Sequence, residues 1–192
     1  MRIAIIQGHP DPSPERFCRA LAAAYRKGAE AAGHEVREID VAALDFALLR
    51  RRGEWEGTPP PASIRGAQET VQWAEHVVIV FPLWLGALPA LLKAFLEQLF
   101  RPGFAFRYGA RGMPVKLLKG RSARIVVTMG MPAFFYELVY RAHSVKSLER
   151  NILRFTGFGP IKRTVVGMVE GGKPGRNAAW LGKMEKLGRE AG

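Results

Sequence analysis

Residues 77–93 read VVIVFPLWLGALPALLK, and the fold depends on how that stretch is parsed. Val77, Val78, Ile79 and Val80 follow one another with no polar alternation, the pattern of a central parallel strand covered on both faces. Pro82 lacks an N–H and disfavours helix for Phe81, so the ladder is expected to stop there, and Pro89 is preset to open a helix. Between the prolines, Leu83-Trp84-Leu85-Gly86-Ala87-Leu88 is an apolar loop at the end of a buried strand. Open α/β sheets bind ligands there, and a flat aromatic ligand would fit. Two prolines and a glycine inside the run, with Lys93 and Glu97 close behind, argue against a membrane span.

Upstream, Arg2–Gln7 reads as a first strand, with Ile3, Ala4, Ile5 and Ile6 continuous and apolar. The chain then turns through Gly8-His9-Pro10-Asp11-Pro12-Ser13-Pro14-Glu15-Arg16 into a helix over residues 15–32, stopped by Gly33. A loop that leads from a strand into a helix points free N–H groups and the positive end of the helix dipole at whatever sits above it, and phosphate binds there readily. Neither the glycine-rich dinucleotide fingerprint nor GxxxxGK[ST] is present, so a standard NAD-type fold and a P-loop NTPase are unsupported. Residues 35–40 alternate as an outer strand does. Residues 41–61 show no clear periodicity and carry Arg50-Arg51-Arg52, Trp55 and Pro59-Pro60-Pro61; such a stretch is expected to be a lid or a dimer contact. A helix is expected over residues 64–75.

Downstream, residues 89–100 are apolar on most of the helix surface through Leu91, Leu92, Phe95, Leu96, Leu99 and Phe100, which predicts that this helix meets another subunit. Residues 101–120 look irregular, and the alternation of Phe104, Phe106 and Tyr108 predicts a short extended arm. A fourth strand over residues 125–128 is broken by Met129-Gly130-Met131-Pro132. A helix follows over residues 144–155, then a fifth strand over 161–166 and a closing helix over 176–189. Five strands alternating with helices predict one α/β domain across residues 1–192, a doubly wound five-stranded parallel sheet in the order 2-1-3-4-5 with helices on both faces. That order places residues 8–16, 82–88 and 128–136 on one rim.

The formal net charge of +12 and pI near 10.4 permit attraction to phosphates, nucleotides, nucleic acid or anionic lipid without choosing among them. Apart from residues 50–52 the basic residues are dispersed without aromatic interleaving, so a solvated face is expected rather than a nucleic-acid groove. A single cysteine, Cys18, leaves no disulfide framework and no cysteine-rich zinc site, which fits a reducing compartment; no metal site is expected. Met1-Arg2 runs directly into the first strand, so no secretion signal is expected and the location is read as cytoplasmic.

The motifs QGHPDPSPERFCRAL, VFPLWLGALPALLKAFLEQLF, GFAFRY, TMG and LRFTGFG make the chain resemble the flavodoxin-like NAD(P)H quinone dehydrogenase family, small flavoproteins of the DT-diaphorase and modulator-of-drug-activity type. The resemblance covers most of the chain. It implies a bound flavin, FMN or FAD, with its phosphate end at His9, Ser13, Arg16, Phe17 and Cys18. Pro82, Leu83, Trp84, Leu85 and Gly86 match the loop that lies against the isoalloxazine ring, and Thr128, Met129 and Gly130 match the third loop. Tyr136 falls on the family's active-site tyrosine, and His143 lies one residue off its active-site histidine. Tyr108 resembles an aromatic that closes the site from the partner subunit of a homodimer. Gly86 and Phe106 sit where related chains often carry a larger or a hydroxylated aromatic.

The implied activity is hydride transfer from NAD(P)H through the flavin to a quinone-like acceptor in a ping-pong sequence. Tyr136 would donate to a developing oxyanion and His143 would supply a proton. Three other readings share the fold: a flavodoxin-type electron carrier, an ancillary regulatory flavoprotein subunit of a membrane transporter, and an FMN or azo reductase.

Overall fold

The buried runs of β-branched residues pair with one another, and the sheet they form fixes everything else. The computed structural model describes residues 1–109, 112–170 and 175–191. Strands β1 (Arg2–Gln7), β2 (Glu35–Asp40), β3 (His76–Pro82), β6 (Ser122–Thr128) and β7 (Ile161–Val166) make one sheet in the order β2-β1-β3-β6-β7. All of its pairings are parallel. This is the expected 2-1-3-4-5 order, with a small antiparallel hairpin, β4 (Phe106–Tyr108) and β5 (Pro114–Lys116), inserted before the fourth sheet strand.

Strand β3 lies at the centre and is buried along its whole length, so both faces need cover. Ile79 and Phe81 face one core with Ala4, Ile6, Ile125 and Val127, under helices α3 (Ala62–Trp73) and α4 (Ala90–Leu99). Val78 and Val80 face the other, with Ile3, Ile5 and Val126, under α1 (Phe17–Ala31) and α8 (Arg176–Arg189). Helices α1 and α8 touch backbone to backbone. A Cβ on Gly28 would lie 1.8 Å from the Glu185 carbonyl oxygen, and one on Gly188 would lie 2.0 Å from that of Tyr25. Any side chain at either position would force the two helices apart.

Several expectations are corrected. Strand β3 does not stop at Phe81: Pro82 pairs in register with Thr128, and the Leu83 N–H donates to the Thr128 carbonyl at 2.7 Å. Proline lacks only the donor, and its neighbour continues the contact. Residues 41–61 contain a short helix, α2 (Arg52–Glu56), and form a strap across their own chain. The Gln98 side chain donates to the Ala47 carbonyl at 2.6 Å and Arg101 to the Thr58 carbonyl at 2.8 Å, while Phe46 packs on Phe95. That strap accounts for the excess apolar surface of α4. Leu92, Phe95, Leu96, Leu99 and Phe100 are all buried within the chain, and Leu91 is half-buried.

Residues 101–120 are more regular than expected because Phe106 docks into the core and anchors the hairpin. The stretch read as one helix over 144–155 is a run of α6 (His143–Ser147), a π-helical segment (Leu148–Leu153) and α7 (Arg154–Thr156). Between β6 and α6, residues Ala133–Leu138 form α5. No helix among the described residues is long and apolar enough to cross a membrane.

Candidate functional site

Parallel strands deliver their carboxyl ends to one rim, and β1, β3 and β6 are adjacent, so the loops that leave them are neighbours. Backbone bonds fix their heights: the Gly8 N–H donates to Val80 at 2.8 Å and the Met129 N–H to Val166 at 2.9 Å.

The first loop is organised by Asp11. Its N–H donates to His9 Nδ1 at 3.0 Å, and its carboxylate accepts the Ser13 N–H at 2.8 Å and pairs with Arg16 at 2.6 Å. The Ser13 N–H and the Arg16 guanidinium hold the Asp11 carboxyl below its usual range. The first of these bonds requires a lone pair on His9 Nδ1, and burial pushes the His9 pKa down as well, so the ring is neutral. Helix α1 then begins at Phe17 with no capping side chain and no acidic residue in its first turn. Arg16 is occupied by Asp11, and Arg19 is held by both Asp40 oxygens at 2.9 Å. The uncapped helix end is therefore the main attraction for an anion.

The second loop is a tight hairpin. Trp84 and Ala87 exchange N–H···O bonds of 3.0 and 2.9 Å, and Leu85 and Gly86 between them both have positive φ, +47° and +74°. This is the primed turn that suits a two-residue connection, with leucine at a position that usually goes to Asn, Asp or Gly. Trp84 is exposed and Leu85 fully so, while His9 meets the indole edge-on at 5.8 Å. The first two loops are thereby joined.

In the third loop Thr128 and Met129 are buried and Gly130 is exposed, with open space where a side chain would be. The Thr128 hydroxyl lies 3.1 Å from Cys18 Sγ, tying β6 to α1. Burial pushes the Cys18 thiol up to about 11, which makes it a core residue rather than a nucleophile. An uncapped helix end beside an exposed apolar hairpin and an open glycine suits a ligand with an anionic tail and a flat ring. A flavin mononucleotide has that shape.

The remaining expected residues lie elsewhere. Tyr136 is buried and turned into the core, its hydroxyl accepting the Val145 N–H at 3.4 Å; it supports α6 instead of facing the rim. His143 opens α6 and is exposed, behind Arg141 and Ala142, which both have positive φ. Tyr108 is exposed on the hairpin, 5.6 Å from Phe106, and lines a separate cavity of about 630 Å³ with Trp55 and Phe155. The organising part played by Asp11 was missed, although Asp-Pro-Ser is an Asx-turn signature. Among the described residues no group of three His, Cys, Asp or Glu side chains could hold a metal ion.

A family model described as a flavodoxin-like fold matches residues 1–187. The chain is 28% identical over 133 residues to an uncharacterized NAD(P)H oxidoreductase of Haemophilus influenzae, an alignment covering 68% of this chain and 65% of that one. It is 38% identical over 90 residues to FMN-dependent NADH:quinone oxidoreductase 1 of Hahella chejuensis, covering 46% and 41%. The chain thus spans less than two thirds of these relatives. Among solved structures, Smu.1420 from Streptococcus mutans UA159 superposes with a TM-score of 0.82 at 25% identity, covering 99% of this chain and 100% of that one. The NAD(P)H:quinone oxidoreductase from Methanothermobacter marburgensis gives 0.83 at 22%, covering 100% and 99%. With the match running through nearly every strand and helix of the doubly wound sheet, the chain belongs to the flavodoxin-like fold family.

Proposed function

We propose that this chain is a flavin-dependent NAD(P)H:quinone-type oxidoreductase, with FMN as the flavin, working in the cytoplasm as a homodimer. The observation that carries the reading is the meeting, through His9 and Trp84, of an uncapped helix end with an exposed apolar hairpin on one rim. The names of similar proteins, several of them FMN-dependent quinone oxidoreductases, point the same way.

When bound, the flavin supplies the hydride chemistry, and the chain's own residues bind, orient and polarise. The start of α1, at Phe17 and Cys18, takes the phosphate. Trp84 and Leu85 give the ring an apolar wall. Trp84 and Ala87 use their N–H groups on each other and Met129 uses its own on Val166, so the loops offer an electron-rich ring edge the N–H groups of Leu85, Gly86 and Gly130. Buried Tyr136 is a positioning residue for α6, and the exposed His143 is the side chain available to hand a proton to a reduced acceptor. Tyr108, exposed on the hairpin, is the aromatic that would close the site of a partner subunit in a homodimer.

The test is to release any chromophore by heat, identify it by mass, and measure steady-state NADH and NADPH oxidation with a quinone. Parallel initial-rate lines are expected for one pocket serving donor and acceptor in turn. A protein that neither carries nor takes up flavin overturns the reading; one that binds flavin without turning over NAD(P)H is an electron carrier.

A further inference from the structure

The first loop carries its own anion. Asp11 Oδ1 accepts the Ser13 N–H at 2.8 Å, and Oδ2 pairs with the Arg16 guanidinium at 2.6 Å. Arg16 stands immediately before α1 with extended backbone, and its side chain caps none of the helix N–H groups. A cation at that position opposes the helix dipole, whereas an anion there is favoured, so the guanidinium and the helix end both attract negative charge. Asp11 satisfies the first and leaves the second open. The next cation along the chain is not free to stand in for Arg16: Arg19 is held by both oxygens of Asp40 at 2.9 Å and donates from Nε to the Asp11 carbonyl at 3.4 Å.

The Asp11–Arg16 pair is weak by position. Its side chains keep 36% and 50% of their surface in water, and an ion pair so exposed contributes little to stability. A phosphate offers the same guanidinium more charge and a bidentate face. The shape of the loop does not depend on the Asp11 charge. The bond from the Asp11 N–H to His9 Nδ1, at 3.0 Å, comes from the backbone, and the Ser13 N–H needs only a side-chain oxygen at residue 11, which Asn supplies as well as Asp. Loop shape and loop charge are therefore separable at this one residue.

We infer that Asp11 sets the anion specificity of the flavin site, by competing with the ligand's phosphate for Arg16. A free anion has to displace the Asp11 carboxylate unaided and binds poorly. A phosphate tethered to a ring already seated at the second loop arrives at high effective concentration and takes the guanidinium. The inference rests on the flavin reading above and adds to it a residue that works against binding.

The experiment uses the full chain, dialysed free of flavin, and follows flavin fluorescence as FMN or riboflavin is added at constant ionic strength, with and without inorganic phosphate. Asp11→Asn is expected to bind FMN about fivefold or more tightly than the parent chain. Riboflavin, which has the ring and no phosphate, should bind both proteins equally. Inorganic phosphate should compete with FMN in Asp11→Asn with a lower inhibition constant than in the parent. Adding Arg16→Gln to Asp11→Asn should remove most of the gain. An FMN affinity equal to or below the parent's, an equal shift for riboflavin, or a gain that survives Arg16→Gln would overturn the inference and leave the flavin reading in place. Failure of every variant to bind either flavin would overturn both.

Discussion

The His9 ring stands perpendicular to the Trp84 indole, 83° between planes and 5.8 Å between centroids. Two loops more than seventy residues apart in sequence share that one contact, so a change at either is felt at the helix end and at the hairpin together.

Replacing Trp84 with Ala removes the apolar wall of the rim while touching little of the core, since the side chain is about half exposed. The flavin content of the purified protein is expected to fall at least severalfold. The thermal midpoint without flavin should move by no more than about 1 kcal/mol of stability allows. Absorbance near the flavin bands and a melting curve check both halves, and unchanged flavin content would remove this loop from the site.

The hairpin tip makes a prediction of opposite signs at adjacent positions. Gly86 has φ +74° and nothing within 4 Å of a built Cβ, so Gly86→Ala meets only a conformational cost, about 1 kcal/mol. Leu85 already bears such a cost at φ +47°, so Leu85→Gly is expected to be neutral or mildly stabilising, by up to about 1 kcal/mol. Urea unfolding of the two variants side by side checks the pair.

His76 is fully buried at the start of β3, with Nδ1 2.7 Å from the Ser122 hydroxyl, and burial, aided by nearby Arg124, pushes its pKa down to about 4. The native protein keeps the ring neutral, whereas the unfolded chain takes up a proton near the ordinary imidazole value of 6.5. The stability from this group is therefore full above that pH and falls as pH drops towards 4, by about 3 kcal/mol over the window. Denaturant unfolding at pH 7 and at pH 4.5 should show the loss, and His76→Gln should flatten it. An unchanged pH slope in the variant would assign the loss to other groups.

Cys18 gives a test of packing. With its thiol pushed up to about 11 and its Sγ against Thr128, it should resist a thiol reagent at pH 8 in the folded protein and react fully in denaturant. Prompt labelling of the native chain would show that α1 opens away from β6.

Arg101 pins the strap through Thr58 and Gln98, with its side chain buried. Arg101→Ala removes charge-assisted bonds that are each worth about 1.5–3 kcal/mol. A loss of about 2–3 kcal/mol is expected, with faster proteolysis confined to residues 44–61. Mass analysis of the early fragments locates the cut.

The architecture was legible because its strands are apolar throughout: Ile3 to Ile6 and Val77 to Phe81 leave no other reading, and the prolines at 82 and 89 mark the loop between them. The rim was legible for the same reason, since strand order places the three loops before any side chain is considered. The cover over α4 was not. A helix with Leu92, Phe95, Leu96 and Leu99 on its surface announces that something covers it, and nothing in that pattern distinguishes a partner from residues 44–58 of the same chain. The burial of Tyr136 was not legible, because position in a motif says nothing about which way α5 is rolled; Phe134, Phe135 and Leu138 are exposed and Tyr136 is buried. The primed turn at Leu85 was hidden because leucine is a poor marker of positive φ.

The strap described above has a consequence for handling the protein. Gln98 and Arg101 tether it at Ala47 and Thr58, but the segment between is exposed at Leu48, Arg50 and Arg51. A single nick there would uncover Phe95 and its neighbours all at once. The clipped molecule would keep its sheet and yet turn sticky, so its first sign of damage would be clumping rather than unfolding.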